Sequence, residues 1–403
     1  MKKIIKLLNY ILFLYPLFFI SKLIKRNNNL WVIGSKNNFS CNSKYFYLNF
    51  YSKNNYSNIT LIWITPNKKL YMKLKSKGYK VAYKYSIKGL YYLLKSRVYI
   101  TSYGSQYDLS YWTSGGVFLV YLWHGIGIKN INYSSTTPVM LKIYHSKKII
   151  DIIAYSSYRE KPNLFISTSD FMNQHFSKAF NIPLCNIITS IYPRCSIFNM
   201  SNQKIIQSLE LLELHQEIYL FKKSKEYKNT IFYMPTWRDN NSNFMELAIP
   251  NYTMLNDTLK KTNSLFIIKL HPNTNIAEFK KDYSNIIIIK GDIDPYPILA
   301  ITDLLITDYS SIYYDYILKD VYRTLLYPFD IISYTQECRD LAYPYDEYTE
   351  GEKAYTYNEL LFYLSNIEKN ITPNNSNRIK DIFLQPSKQK IDIIPKIIEE
   401  IED

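Results

Sequence analysis

From Leu30 onward the chain alternates short apolar runs with amphipathic stretches. The runs LWVIGS (30–35), NITLIWIT (58–65), YKVAYK (79–84), RVYITS (97–102) and VFLVYLW (117–123) are rich in β-branched and aromatic residues, which predicts strands. Between them NSKYFYLNFYSK (42–53) and KKLYMKLKSKG (68–78) carry apolar residues at helical spacing, the second stopped by Gly78. The YPR punctuation near 190–200 closes this series, and the polar, Lys- and Glu-rich stretch 201–228 predicts a linker helix. The alternation then restarts with NTIFYMPT (229–236), SLFIIKLHP (264–272), NIIIIKG (285–291), DLLITD (303–308) and RTLLYP (323–328). Helices are expected over IYYDYILKD (312–320) and in the tail KIDIIPKIIEEIED (390–403). Such alternation implies parallel sheets with helices on both faces. At 403 residues the chain exceeds one comfortable core. The expected class is α/β, with two doubly wound parallel-sheet domains facing a cleft. They span 27–200 and 229–380, and the tail 381–403 is a closing helix.

The N-terminus, 1–26, departs from this pattern. Its uncharged apolar core runs from Leu7 to Ile20 between lysines, shorter than the roughly 20 residues a spanning helix needs. No small-x-small cleavage site follows, which argues against a secretory signal. A membrane-associating helix lying in the interface is expected instead. Charge supports it. The chain carries 49 basic and 34 acidic residues, yet residues 1–100 hold 19 Lys and Arg and no acid, the first being Asp108. Such a field suits an anionic membrane surface or a polyanion. Aromatics and lysines interleave there without a nucleic-acid reading motif, so no nucleic-acid partner is expected. Cys41, Cys185, Cys195 and Cys338 have no C-x-x-C or ligand spacing and read as reduced thiols. The 41 tyrosines read as compositional bias, so none is singled out.

Ligands of open α/β sheets bind beyond the carboxyl ends of strands. At one such end YLWHGIGIK (121–129) places His124 directly after an apolar run. Gly125 and Gly127 would free the backbone there, and Lys129 returns a positive charge. An imidazole so placed can take a proton from a hydroxyl near neutral pH. In ITDYSSIYYD (306–315), Ser310 and Ser311 open a helix as expected N-caps, with free amides suited to phosphate. Asp315, one turn on, could read a ribose hydroxyl. KLHPN sets Lys269 and His271 on one side of a strand end, and MPTWR delivers Arg238, whose guanidinium can grip phosphate bidentately. Together these describe a diphosphate site. No P-loop, no dinucleotide fingerprint and no metal-ligand spacing is present, which disfavours ATPases and dehydrogenases. No cofactor is called for, with a divalent cation left open.

The motifs WHGIGIK, YPR, MPTWR, IKLHP and ITDYSSIYYDYILKD…LLYPFD stand in an order that resembles the CDP-glycerol glycerophosphotransferases, the teichoic-acid primases and polymerases, over roughly residues 95–365. The resemblance implies a GT-B-like fold, a CDP-polyol donor, a lipid-linked anionic acceptor and peripheral attachment to the cytoplasmic face of the cell membrane. It makes His124 the histidine of the H-G-x-x-x-K motif and Lys129 its lysine. It sets Arg238, His271, Ser310, Ser311 and Asp315 around the CDP group. His124 and His271 are the implied catalytic pair. Gly125, Arg194, Thr236, Lys269 and Arg339, from the same motifs, complete the substrate-binding set. Three motifs depart from the family pattern. G-x-P-R-x-D reads I-Y-P-R-C-S, with Ile191 for Gly and Ser196 for Asp; R-G reads Arg339-Asp340; P-G reads Glu350-Gly351. The expected reaction is transfer of a polyol phosphate, with glycerol phosphate first and ribitol phosphate next, releasing CMP. The rivals are a nucleotide-sugar glycosyltransferase and a non-enzymatic binder of polyanions at the membrane surface.

Overall fold

The computed structural model describes residues 10–402 except 37, 54, 239–242, 272–273, 275–281, 290, 292, 339, 374–376 and 386–391. Two compact units emerge. The first holds Met1–His124, Ile131–Arg194 and Leu384–Asp403; the second holds Gly125–Asn130 and Cys195–Phe383.

The sheet of the first unit is built from β1 (Asn27–Ile33), β2 (Thr60–Thr65), β3 (Val81–Tyr83), β4 (Ser96–Thr101), β5 (Phe118–Tyr121), β6 (Leu164–Ser167) and β7 (Ile187–Thr189). Their order is β3-β2-β1-β4-β5-β6-β7, with every pairing parallel. The second unit has β8 (Asn229–Met234), β9 (Ser264–Lys269), β10 (Ile286–Ile289), β11 (Leu304–Thr307), β12 (Thr324–Leu326) and β13 (Glu352–Lys353). Their order is β10-β9-β8-β11-β12-β13, again parallel. Helices cover both faces of such sheets, so central strands are apolar throughout rather than alternating. Accordingly β2 and β9 are buried at five of six positions. In each sheet the order reverses beside the strand that starts it, between β1 and β4 and between β8 and β11. Crevices at such reversals are where doubly wound folds hold ligands.

The stretch 201–228, expected as one linker helix, is two helices, Asn202–Leu211 and His215–Ser224. Glu213 breaks them with a left-handed backbone, φ 49°. They bury Ile205, Leu209, Leu220 and Phe221 and belong to the second unit. The closing helix Ile393–Glu402 buries Ile393, Ile394, Ile397 and Ile401 and belongs to the first unit.

Near the N-terminus, Tyr10–Leu14 forms a wide turn that continues as the helix Tyr15–Leu23. Its one buried residue is Ser21, whose hydroxyl accepts the Gly115 amide at 2.9 Å. A Cβ at Gly115 would lie 2.5 Å from the Phe18 carbonyl oxygen, so glycine is what lets the helix approach. Arg26 fastens the exit by donating to the carbonyls of Leu93, Ser96, Thr113 and Gly115. The other face leaves Ile11, Leu12, Phe13, Phe19, Ile20 and Leu23 exposed. No described helix is long and apolar enough to cross a membrane.

Candidate active site

In the first unit the crevice between β1 and β4 is held by one carboxylate. Asp108, fully buried, accepts the Lys36 amide at 2.9 Å on Oδ1 and the Ser102 and Tyr103 amides at 2.7 and 2.8 Å on Oδ2. Gly34 permits this, because a Cβ there would collide with the Asp108 carbonyl oxygen. Burial pushes the carboxyl's pKa up to about 7, against the pull of its three amides and the Lys36 charge.

His124 lies one strand over, past the end of β5. Its Nδ1 is 2.9 Å from the Ser102 carbonyl oxygen. A carbonyl can only accept, so the proton sits on Nδ1 and Nε2 is the basic nitrogen. The ring stacks on Tyr103, with centroids 4.4 Å apart at 26°, and also meets Trp123, tilted at 42° with centroids 3.9 Å apart. Lys36 Nζ stands 4.1 Å from the centroid of the Tyr103 ring. Burial lowers the imidazole's pKa to about 3; the Ser102 bond opposes this, while the charges of Arg194 and Lys36 add to it. His124 is therefore neutral at physiological pH. Trp123 is the left-handed residue, φ 56°, and neither Gly125 nor Gly127 has positive φ.

Arg194 is 5% exposed. Its Nη1 donates to the His124 carbonyl at 2.9 Å, and its amide donates to Asn42 Oδ1. The Asn42 amide group in turn donates to the carbonyls of Leu122 and Trp123. Expected as a substrate contact, Arg194 instead faces the backbone that carries the histidine. Gly125 and Lys129 belong to the second unit, where Lys129 bridges Leu341 and places Nζ 5.5 Å over the Tyr334 ring.

The second unit repeats the device at its own crevice. Asp308, past β11, accepts the Thr236 amide at 2.9 Å and the Tyr309 amide at 2.6 Å. Arg238 corrects the expectation of a phosphate grip. It is 2% exposed and bidentate to Asp330, with Nε and Nη2 each 2.8 Å from a carboxylate oxygen. Its Nη1 pairs with Asp308 at 2.8 Å and with the Thr236 carbonyl. With four of five donors engaged inside the protein, no fork remains for a diphosphate. Asp315 is corrected likewise. It does lie one turn beyond Ser311, but that face points inward, and Tyr296 donates to its Oδ2 at 2.5 Å. Ser311 is itself helical, φ −62° and ψ −17°, and makes no side-chain cap; Ser310 Oγ accepts only a long 3.4 Å contact from the Ile312 amide. The capping expectation therefore fails, because the chain enters the Ile312–Tyr316 helix already turned. Both serines remain partly exposed at the β11 end. His271 is exposed past β9, its ring 5.2 Å from Trp237, and Lys269, partly exposed, ends that strand. Arg339 lies outside the described residues.

The carboxyl edge of the first sheet thus gathers His124 and Arg194. That of the second gathers Thr236, Arg238, Lys269, His271, Ser310 and Ser311. Lys36, Asn42, Ser102, Tyr103 and Asp108 were not singled out by the sequence. The available signal was Asp108 itself, the first acid after 107 residues without one. Among the described residues no three His, Cys, Asp or Glu side chains are placed to hold a metal ion.

The teichoic acid poly(glycerol phosphate) polymerase of Bacillus spizizenii is 24% identical over 403 aligned residues, covering 94% of this chain and 93% of that one. The poly(ribitol-phosphate) polymerase of the same organism is 26% identical over 60% of this chain, which spans only 37% of that protein's length. The wall teichoic acid polymerase TagF has the same fold, with TM-score 0.71 and 18% identity over 100% of this chain and 96% of that structure. A model of the CDP-Glycerol:Poly(glycerophosphate) glycerophosphotransferase family matches residues 14–384, nearly the whole of both units. The chain belongs to that family of phosphotransferases.

Proposed function

We propose that the chain transfers a polyol phosphate, glycerol phosphate first among candidates, from a CDP-polyol to a hydroxyl of a lipid-linked or polymer acceptor. The acceptor oxygen bonds to the phosphorus that carries the polyol, its proton passes to His124 Nε2, and the bond to the bridging oxygen breaks to release CMP. The second unit is assigned the nucleotide, through Thr236, Lys269, His271, Ser310 and Ser311. Family membership supports the reaction class, and one form of TagF was soaked with CDPG. Relatives act on both glycerol and ribitol phosphates, so either polyol fits. The observation that carries the reading is the neutral, tautomerically fixed imidazole at the end of β5. A base with so low a pKa is weak by itself. A diphosphate brought near it favours the imidazolium and raises its proton affinity at the moment it is needed. The apolar outer face of the N-terminal helix and the acid-free basic stretch around it support peripheral attachment at the cytoplasmic face of the cell membrane.

Purified protein given CDP-glycerol, CDP-ribitol and several nucleotide sugars, with membrane extract as acceptor, should release CMP from one CDP-polyol. His124→Ala should lower the rate by about 10²–10⁴-fold, the usual contribution of a general base. Release of a nucleoside diphosphate from a nucleotide sugar would move the protein to the glycosyltransferases.

A further inference from the structure

The imidazole of His124 is held by a peptide group, and that peptide is held by a carboxylate. The Ser102 carbonyl that accepts from His124 Nδ1 and the Tyr103 N–H that donates to Asp108 Oδ2 belong to one peptide unit. A trans peptide is rigid and planar, its N–H and C=O pointing in opposite directions. Fixing the N–H therefore fixes the carbonyl. We propose that Asp108 is a positioning residue for His124, acting through the Ser102–Tyr103 peptide as an aspartate acts directly in an Asp–His pair. The proposal rests on His124 being the base.

Three further observations support it. Asp108 also takes the Ser102 and Lys36 amides, so the strand ends on both sides of the crevice are pinned by the same two oxygens. The Tyr103 ring, carried by the same peptide, stacks on the imidazole and sets its plane. Finally, the short helix Ser105–Asp108 is anchored at its start by Glu160, which accepts the Ser105 amide at 3.1 Å, the Ser105 hydroxyl at 2.5 Å and the Tyr121 hydroxyl at 2.9 Å. Tyr121 ends β5, the strand that leads to His124. In its ionised form, favoured above about pH 7, the carboxylate also polarises the peptide, making the Ser102 carbonyl a stronger acceptor and Nε2 a stronger base.

Asp108→Asn keeps the shape but loses the charge: with its nitrogen in the Oδ1 place the Lys36 bond is lost and a weaker neutral acceptor meets Ser102 and Tyr103, and with it in the Oδ2 place both of those bonds are lost. It should lower kcat roughly 10- to 100-fold, the usual cost of removing an outer-shell partner, with the donor KM within a few-fold. The direct readout is ¹⁵N-histidine NMR of the full chain, whose five imidazoles are few enough to resolve, with His124→Ala assigning the signal. The wild type should show His124 with the proton on Nδ1, and Asp108→Asn a mixture of tautomers. An unchanged tautomer and kcat would overturn the proposal. So would an equal loss from Asp108→Asn in wild-type and His124→Ala backgrounds, because a positioning role vanishes once the imidazole is gone. A fully active His124→Ala would instead sink the base assignment, whatever Asp108→Asn does. If Asp108→Asn does not fold, the wild-type spectrum decides by itself: His124 carrying its proton on Nε2 would overturn the proposal, because the Ser102 carbonyl would then hold no imidazole N–H.

Discussion

A bulky residue in the left-handed region costs roughly 1–2 kcal/mol and persists only where its surroundings over-determine it. Trp123 takes that conformation immediately before His124. Its surroundings do hold it. Asn42 binds its carbonyl, Phe180 meets its ring edge-on at 4.7 Å, and His124 lies against its face. The strain turns the chain out of β5 so that the next side chain meets the Ser102 carbonyl. The same environment makes the histidine costly to charge, and His175 shares this property, its pKa lowered to about 4 by burial and secondarily by Lys178. Both are neutral when folded, whereas the unfolded chain protonates its histidines below about 6.5. Between that pH and about 4 the unfolded state binds more protons, so stability falls as pH falls. Taking His175, 7% exposed, acidification from pH 6.5 to 5 should remove roughly 2 kcal/mol through this one group. Denaturant unfolding of wild type and His175→Gln at the two pH values measures it. The variant should lose less on acidification, and equal losses would show that His175 titrates normally.

The strand ends carry a second lesson. The amides beyond β1, β4, β8 and β11 are the groups that in many doubly wound folds meet phosphate, yet here Asp108 and Asp308 consume several of them. A buried carboxylate closes each reversal point and joins neighbouring strands, leaving recognition to side chains further out. Arg238 extends this in the second unit, tying the ends of β8, β11 and β12 through Asp308 and Asp330 while Phe244, Tyr309, Phe329 and Tyr334 surround its guanidinium at 5.0–5.3 Å. Removing one member of such a pair leaves a buried charge unmatched, which costs about 3–5 kcal/mol. Arg238→Met should destabilise the protein by that amount in denaturant titrations, and the loss should shrink when Asp330→Asn is added. A stable Arg238→Met with only a raised donor KM would restore the guanidinium to the substrate. These partners explain what the sequence could and could not reveal. Strands buried on both faces announce themselves as apolar runs, and β13, two residues long, has no room for a pattern; β6 and β7 are as long as β5 and β3, which the runs do reveal, so their length does not account for their silence. His124 is legible because it follows such a run. The role of Arg238 is not, since its bidentate partner is 92 residues away. Asp108 binds backbone amides, which leave no trace in residue identity, and Tyr103 is one of 41 tyrosines.

The acid-free stretch of the first hundred residues has its counterpart in the surface of the first unit. The helix Tyr15–Leu23 is fastened by Ser21, Gly115 and Arg26, so its exposed Phe19, Ile20 and Leu23 are presented on a rigid base rather than a loose tail. The Tyr15 hydroxyl donates to the Ile153 carbonyl at 3.2 Å, which sets the helix Ile149–Ala154 alongside, with Ile149, Ile150 and Ile152 also exposed. The Tyr15–Leu23 face belongs to residues 1–100, which hold nineteen basic residues and no acids, and supports the proposed attachment to anionic headgroups and acyl chains; the helix beside it carries one acid, Asp151, which is buried. The two contributions separate experimentally. Charge attraction weakens as salt rises, with a screening length of about 10 Å at 0.1 M, whereas apolar insertion does not. Wild-type protein should co-sediment with vesicles containing anionic lipid, less so with neutral ones, and only partly release in high salt. Phe13→Ser, Phe19→Ser and Ile20→Ser together remove three large side chains, each worth about 1.5–3 kcal/mol when fully buried, and should lower vesicle binding at least tenfold. Transfer to a lipid-anchored acceptor should fall with it. Transfer to a water-soluble acceptor should not, because the imidazole and the strand ends that hold it are untouched by the change. Equal vesicle binding by the triple variant and wild type would mean that this face meets something other than lipid.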